Sequence, residues 1–382
     1  MEILNSLADL RAVARRRVPR AIFEYADRGS YEELTLRRNR SDLDALTLRQ
    51  RVGVDVSKIN TATSMAGQIC SMPLGIAPTG LTGLFHRDGE ICGARAAAAA
   101  GIPFCLSTVS ICSIEDVRGA SATPFWFQLY LMRDRGFNEE LIGRASAAQC
   151  PVLVLTLDLP VLGLRRRDPK NGLAVPPRLT ARNLLEIATR PAWALGMLRA
   201  RRRTFGNLEG RIAGPRGLKS LSAWLNDQAY PEASWQDVAW VRSLWPGRLV
   251  VKGILDPDDA RRAADLGADA VVVSNHGGRQ LDGAPSSISV LPQVAEAVEG
   301  RCEVLFDGGV MSGQDVLKAL ACGARGCLMG KGFLYALAAR GQAGVTLAIE
   351  ILRRELTVSM ALAGATDVRD LDSSVLWSAE QP

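Results

Sequence analysis

The segment order of this 382-residue chain predicts an α/β fold: a (β/α)8 TIM barrel with an N-terminal helical extension and a segment inserted after the fourth strand. Three observations predict it. Short Val- and Leu-rich runs lack polar alternation, as strands buried on both faces do. Alanine- and leucine-rich stretches separate them, and strand–helix repetition implies parallel pairing. Eight such runs occur, enough to close a barrel, although an open doubly wound sheet could use the same elements.

In chain order the expected strands are Pro73–Pro78, Pro103–Ser107, Phe125–Tyr130, Val152–Asp158, Leu249–Gly253, Ala270–Asn275, Glu303–Gly308 and Gly326–Gly330. Helix-like segments fall between them at Gly89–Ala100, Asn138–Ala148, Pro257–Leu266, Ser287–Val298 and Gly313–Ala321. The rhythm breaks after the fourth strand, so residues 1–382 read as one barrel domain with an insertion at 178–235.

A barrel gathers its chemistry at the C-terminal ends of its strands. Those ends offer Thr79, Ser107, Gln128 with Tyr130, Thr156 with Asp158, Lys252, Ser274 with His276, Asp307 with Gly309, and Gly330 with Lys331. Strands meeting loops explain much of that polarity. Lys252 and Asp307, directly behind apolar runs, are harder to explain that way. Asp307-Gly308-Gly309 and Gly330-Lys331-Gly332 combine free backbone N–H groups, a cation and nearby helix N-termini, which suits a phosphate-bearing cofactor. No strand-linked GxGxxG run supports a nicotinamide cofactor.

A chain 47% hydrophobic can bury a large core. No apolar run approaches the roughly 20 residues that span a bilayer. The N-terminus carries early acids and has no apolar stretch ending at a small-residue cleavage site, which argues against a signal peptide. Eight cysteines show no CxxC pair and no metal-like spacing, so no metal site and no disulfide is expected, as in a reducing cytoplasm. The net charge of +6 suits an anionic substrate, a membrane face or nucleic acid. Nucleic acid is disfavoured because the basic residues are not interleaved with stacking aromatics.

The run Ser274-Asn275-His276-Gly277-Gly278-Arg279-Gln280-Leu281-Asp282 closes the sixth expected strand and carries one of only two histidines. Glycines admit close backbone approach, arginine clamps a carboxylate, and imidazole exchanges a proton near neutral pH. This run resembles the signature of the FMN-dependent L-2-hydroxyacid dehydrogenases and oxidases, the family of glycolate oxidase, flavin L-lactate dehydrogenase and mandelate dehydrogenase. The likeness extends from Tyr25 to about Gly344, with separate motifs in the family's order.

The resemblance implies FMN and a 2-hydroxy acid, and assigns residues. Ile76-Ala77-Pro78-Thr79 would pack against the N5 side of the flavin. Ser107, Gln128, Thr156, Lys252 and Ser274 match positions holding the isoalloxazine and ribityl groups. Asp307, Gly308, Gly309, Gly330 and Lys331 match the ribityl and phosphate positions. Tyr25 and Tyr130 match the two substrate-side tyrosines. In these roles His276 takes a proton, Asp158 orients it, Lys252 sits near N1, and Arg165 (chosen by its spacing from Gly163) joins Arg279 on the substrate carboxylate. His86 reads as structural or exposed. Two places depart: Met311 and Lys331 stand where the family commonly has arginine, which weakens the forked phosphate contact.

Gly80 stands where the oxidases tend to have alanine, and Leu106–Ser110 and Lys252–Pro257 look closest to the lactate and mandelate dehydrogenases. Transfer of electrons to a quinone or another carrier is therefore expected over transfer to oxygen. An oxidase and a non-redox FMN barrel such as an isomerase are the competing enzymes, and a barrel that only binds flavin is the non-catalytic alternative. Gly80 and Val109 are expected to leave room beside the substrate. The insertion places Leu184, Leu185, Trp193, Leu195 and Leu198 before Arg199, Arg201, Arg202 and Arg203. That pattern fits an anionic membrane surface or a mobile lid with a solvated arginine face. The expectation is a cytoplasmic chain, peripheral on the inner membrane face under the first reading, and a homotetramer by family habit.

Overall fold

The computed structural model describes residues 3–172, 180–209, 228 and 230–377. Eight parallel strands form the centre: Leu74–Ile76, Cys105–Ser107, Trp126–Tyr130, Val152–Thr156, Arg248–Ile254, Ala270–Val273, Glu303–Asp307 and Gly326–Met329. Each pairs with its sequence neighbours, and the first also pairs with the eighth. A parallel bridge between Ile76 and Phe104 joins the first strand to the second, so the ring is closed and the open-sheet arrangement is excluded.

Alternate strand residues point inward and fill the barrel. Trp126, Val152, Val154, Val250, Val272, Leu305 and Leu328 form this inner cluster with Met65 and Cys70. The last two belong to a small antiparallel hairpin, Thr63–Met65 with Gln68–Cys70, that plugs the N-terminal end. Trp126 Nε1 donates to Gln68 Oε1 at 2.8 Å, and the Ala66 N–H donates to the Glu303 carboxylate at 2.7 Å. The N-terminal end is thereby sealed, leaving the C-terminal mouth for function.

Helices cover the outside. The last, Lys331–Leu362, breaks at Arg340 and Gly341, where φ of +58° at the glycine bends the chain. It packs on the first helix, Leu7–Arg17, and on Gly89–Ala100. The N-terminal extension continues through Arg20–Asp27 and Leu34–Ala45 and crosses the mouth of the barrel. Asp282 fixes it there, accepting the N–H groups of Glu32 and Thr35 at 3.0 and 2.9 Å.

Between the fourth and fifth strands lie Ala181–Ala188, Pro191–Leu198, a short turn at Gly206–Leu208 and Trp235–Leu244. Positions 178–179, 210–227 and 229 of the expected insertion lie outside the described residues. No described helix is long and apolar enough to cross a membrane. All eight cysteines are free thiols.

Candidate active site

After the sixth strand the backbone turns left-handed through three residues, with φ of 59°, 65° and 71° at His276, Gly277 and Gly278. Two glycines adopt this readily; a histidine there carries strain of about 1–3 kcal/mol, which the surroundings must over-determine. They do. Ser274 Oγ accepts the His276 N–H at 3.1 Å. Asn275 and Asn39 exchange amide hydrogen bonds of 2.6 and 2.7 Å, and Asn275 Oδ1 also accepts the Gly278 N–H at 3.0 Å. The helix Leu34–Ala45 presses so closely that a Cβ at Gly278 would stand 2.6 Å from the Leu36 backbone.

This turn aims the imidazole at residues from two other strands. His276 Nδ1 meets Asp158 Oδ1 at 2.9 Å, and Nε2 meets the Tyr130 hydroxyl at 3.5 Å. Asp158 fits because Gly253, at a bulge in the fifth strand with φ +102°, has no Cβ; one there would stand 2.6 Å from Asp158 Cβ. Burial holds the His276 pKa below its ordinary value although Asp158 opposes it. At Asp158 burial works upward, but the charge and hydrogen bond of His276, then Lys252, hold the carboxyl low. Burial and then Asp158 push Tyr130 up, so its hydroxyl stays protonated. The stable state near neutral pH is a carboxylate, an imidazole protonated on Nδ1, and an Nε2 lone pair facing the cavity beside the Tyr130 hydroxyl.

Below the mouth, Lys252 Nζ bonds Ser274 Oγ at 2.9 Å and Asp307 Oδ2 at 3.1 Å. Its side chain is only 4% exposed. Burial disfavours the ammonium, but Asp307 and then Asp158 outweigh it and raise the pKa. Ser107 donates to Gln128 Oε1 at 3.0 Å. Gln128 Nε2 and Thr156 Oγ1 are buried and have no hydrogen-bond partner among the described residues. Buried orphans of this kind call for a partner. With the ammonium beside them, they fit a planar heterocycle carrying ring nitrogens and carbonyls. Ala77, Pro78, Thr79 and Gly80 form the adjoining wall.

At the other side, Arg279 Nη1 donates to the carbonyls of Tyr25 and Arg28, capping the helix Arg20–Asp27. Its guanidinium lies 4.7 Å from the centre of the Tyr25 ring, and that of Arg165 lies 6.0 Å from it. Burial, then Arg165, lowers Arg279 to about 10, so it remains a cation at neutral pH. Arg165 Nε is a further buried orphan. Two neighbouring guanidiniums with capacity left over make a receptor for a carboxylate.

The third region follows the seventh and eighth strands. Gly309, Met311, Gly330 and Lys331 line it. Lys331 Nζ donates to the Asp27 carbonyl at 3.1 Å, and burial, then Arg279, lowers it to about 7. The Met311 N–H is taken by Asp315 at 2.9 Å. Arg40, which the sequence did not single out, lines the same region, donates to the Gly309 carbonyl at 3.1 Å and pairs with Asp315 at 2.7 Å.

All three regions open into one cavity of about 1720 Å³. Of the expected residues, Tyr25, Ala77, Pro78, Thr79, Gly80, Tyr130, Thr156, Arg165, Lys252, His276, Arg279, Asp307, Gly309, Gly330 and Lys331 line it. Asp158, Ser107, Gln128 and Ser274 lie behind the lining and reach it through the bonds above. Gly308 stands between Asp307 and Gly309, and with φ +123° it packs on Ser287, where a Cβ would stand 2.6 Å from Oγ. Gly80 and Val109 both line the cavity and pack against each other, so that a Cβ at Gly80 would stand 2.7 Å from Val109 Cγ2. His86 bonds the Arg87 carbonyl and packs against Gly341, away from the mouth.

Part of the insertion belongs to the site. Ile187, Trp193 and Phe205 line the cavity, and Trp193 Nε1 donates to the Leu84 carbonyl at 2.8 Å. Asn207, buried, donates to the carbonyls of Ser107 and Thr108 and accepts the Ile114 N–H at 2.9 Å. Nothing in the local sequence marks this asparagine. Its arginines are not all solvated: Arg202 pairs with Asp116 and Glu209, and the Arg201 N–H bonds Asp88 at 3.1 Å.

Residues 14–378 match the model of a family described as FMN-dependent dehydrogenase. The L-lactate dehydrogenase of Caulobacter vibrioides (strain NA1000 / CB15N) is 50% identical over 376 residues, 98% of each chain. A solved (S)-mandelate dehydrogenase, described as a monotopic membrane protein, superposes with a TM-score of 0.94 at 35% identity, covering 98% of this chain and 100% of that one. A mandelate oxidase superposes at 0.84 with 37% identity and 98% coverage of both.

Proposed function

The chain belongs to the FMN-dependent dehydrogenases, and from that we propose that it oxidises an L-2-hydroxy acid of lactate or mandelate type to the 2-oxo acid. One observation carries the reading: a neutral imidazole backed by a carboxylate faces the same cavity as two arginines and a buried ammonium. When bound, FMN supplies the two-electron acceptor that no side chain can provide. The groups that would hold its ring and ribityl chain are Ala77, Pro78, Thr79, Ser107, Gln128, Thr156, Lys252 and Ser274. Asp307, Gly308, Gly309, Gly330 and Lys331 would hold the ribityl and phosphate end.

Arg165 and Arg279, with Tyr25, fix the substrate carboxylate and so the direction in which the α-carbon faces. His276 Nε2 takes a proton, with Tyr130 beside it. Asp158 keeps the Nδ1 proton in place and stabilises the imidazolium that forms, as a carboxylate does for other catalytic histidines. The Lys252 ammonium offsets negative charge gathering at the cavity floor during oxidation.

The electrons pass to a quinone or another carrier. Gly80 and the lactate and mandelate dehydrogenase relatives favour this; the similarity to a mandelate oxidase makes oxygen the alternative to test. Residues 1–382 act as one barrel domain, with 178–235 as an insertion that touches an anionic membrane surface on the cytoplasmic side. Exposed Leu184, Leu185, Leu195 and Leu198 beside arginines support that, as does the monotopic relative. A homotetramer is the assembly of this reading, decided by light scattering.

Anaerobic mixing of the yellow holoprotein with a panel of L-2-hydroxy acids tests the function. At least one acid should bleach the flavin, and His276→Ala should keep the flavin and lose the bleaching. A non-redox barrel would stay yellow with every acid. Rapid stoichiometric peroxide formation in air would reject the dehydrogenase assignment.

A further inference from the structure

Two loops at the mouth each carry half of two functional pairs. The loop after the fourth strand holds Asp158 and Arg165; the loop after the sixth holds His276 and Arg279. Neither pair works unless the loops keep register to within about 0.5 Å. Gln280 spans the seam between them. Its Nε2 donates to the carbonyls of Asp158 and Val161, both at 2.9 Å, and its Oε1 accepts the Gly163 N–H at 3.2 Å. Here the two backbones press together. A Cβ at Gly163 would stand 2.5 Å from the Arg279 carbonyl oxygen and 2.9 Å from Gln280 Cα.

We infer that Gln280 is a positioning residue that keeps Asp158 against His276 and Arg165 beside Arg279 in one register, through its three bonds across this seam. The inference rests on the hydroxy-acid reading, in which those four residues are the proton-transfer and carboxylate groups. The bond to the Asp158 carbonyl fixes the backbone from which the carboxylate reaches Nδ1. The bonds at Val161 and Gly163 fix the chain just before Arg165. Glutamate could accept from Gly163 but could not donate to two carbonyls, and asparagine is one methylene too short.

Gln280→Met, close in length and without polar atoms, tests this in the FMN-loaded protein. Since misplacement by about 1 Å costs on the order of 100-fold, kcat/KM should fall by about that factor, with KM raised and kcat lowered together. His276 is faced by Asp158, Tyr130, Lys252 and Arg165. Losing the Asp158 contact leaves burial unopposed, so the acid limb of the kcat/KM profile should move to lower pH. FMN affinity should be unchanged. Gly163→Ala, which forces the backbones apart with Gln280 intact, should give the same three signatures and carries the test should Gln280→Met fail to fold. A Gln280→Met enzyme with wild-type KM and an unmoved acid limb overturns the inference, as does a lowered kcat alone. Wild-type protein that no L-2-hydroxy acid bleaches overturns the functional reading and this inference with it; bleached wild type with indifferent variants overturns the inference only.

Discussion

His276 must be neutral to accept a proton, and its burial favours that form. Because the folded pKa lies below the ordinary value of about 6.5, the active form is present above that folded value and lost as pH falls through it. The acid limb of kcat/KM should therefore lie below pH 6.5; a limb above it would mean that Asp158 dominates burial. Asp158→Asn should keep the fold and FMN but lower kcat by up to about 10⁴-fold, as when a histidine loses its orienting carboxylate. Lys331 gives a prediction of opposite sign. Its ammonium, lowered to about 7, is present below that pH and lost as pH rises through it. A bound phosphate would raise it again, so FMN binding takes up a proton. The ratio of FMN to riboflavin affinity, titrated on apoprotein, should fall between pH 7 and 9. Lys331→Arg should flatten that slope, because a guanidinium stays charged.

The insertion works as an element with two faces. One is docked: Trp193 and Asn207 tie it to the loops after the first and second strands. Asn207→Ala would take from the Thr108 carbonyl and the Ile114 N–H the buried partner they now have, at about 1–3 kcal/mol for each group, while the Ser107 carbonyl keeps the Ser110 N–H. Urea denaturation should show a loss of at least about 2 kcal/mol. The other face is apolar and open, with Leu185 67% and Leu198 65% exposed. Replacing Leu184, Leu185, Leu195 and Leu198 by serine should abolish flotation with anionic liposomes and leave soluble-dye turnover near wild type. Vesicle binding that survives the change would place the contact elsewhere.

The barrel as a whole depends on its N-terminal plug. Met65 is fully buried beneath the inner layer, and even Gly326 has no space for a Cβ against it. Met65→Ala should cost about 2–5 kcal/mol in denaturant unfolding by opening a cavity where no solvent side chain can relax into it. This hairpin escaped the sequence reading because three-residue strands, Thr63–Met65 and Gln68–Cys70, are too short to show a period. The eight barrel strands were legible because burial on both faces leaves an apolar run that needs no partner to be recognised. The break at Gly341 was not, since a single glycine within a helical pattern carries no direction.

By itself the sequence determined the barrel, the mouth that holds the chemistry, and the residue types gathered there, because unbroken apolar runs and the residues that end them are local properties of the chain. Tertiary structure alone decided which groups meet. Asp158 and His276 are 118 positions apart, and Asn39 reaches Asn275 across 236. Burial, which no single position encodes, then set the imidazole neutral and the Lys331 ammonium labile, and lowered Arg279 without discharging it. It also gave Gln280 and Asn207 their roles, because a buried amide counts only through the loops that close around it.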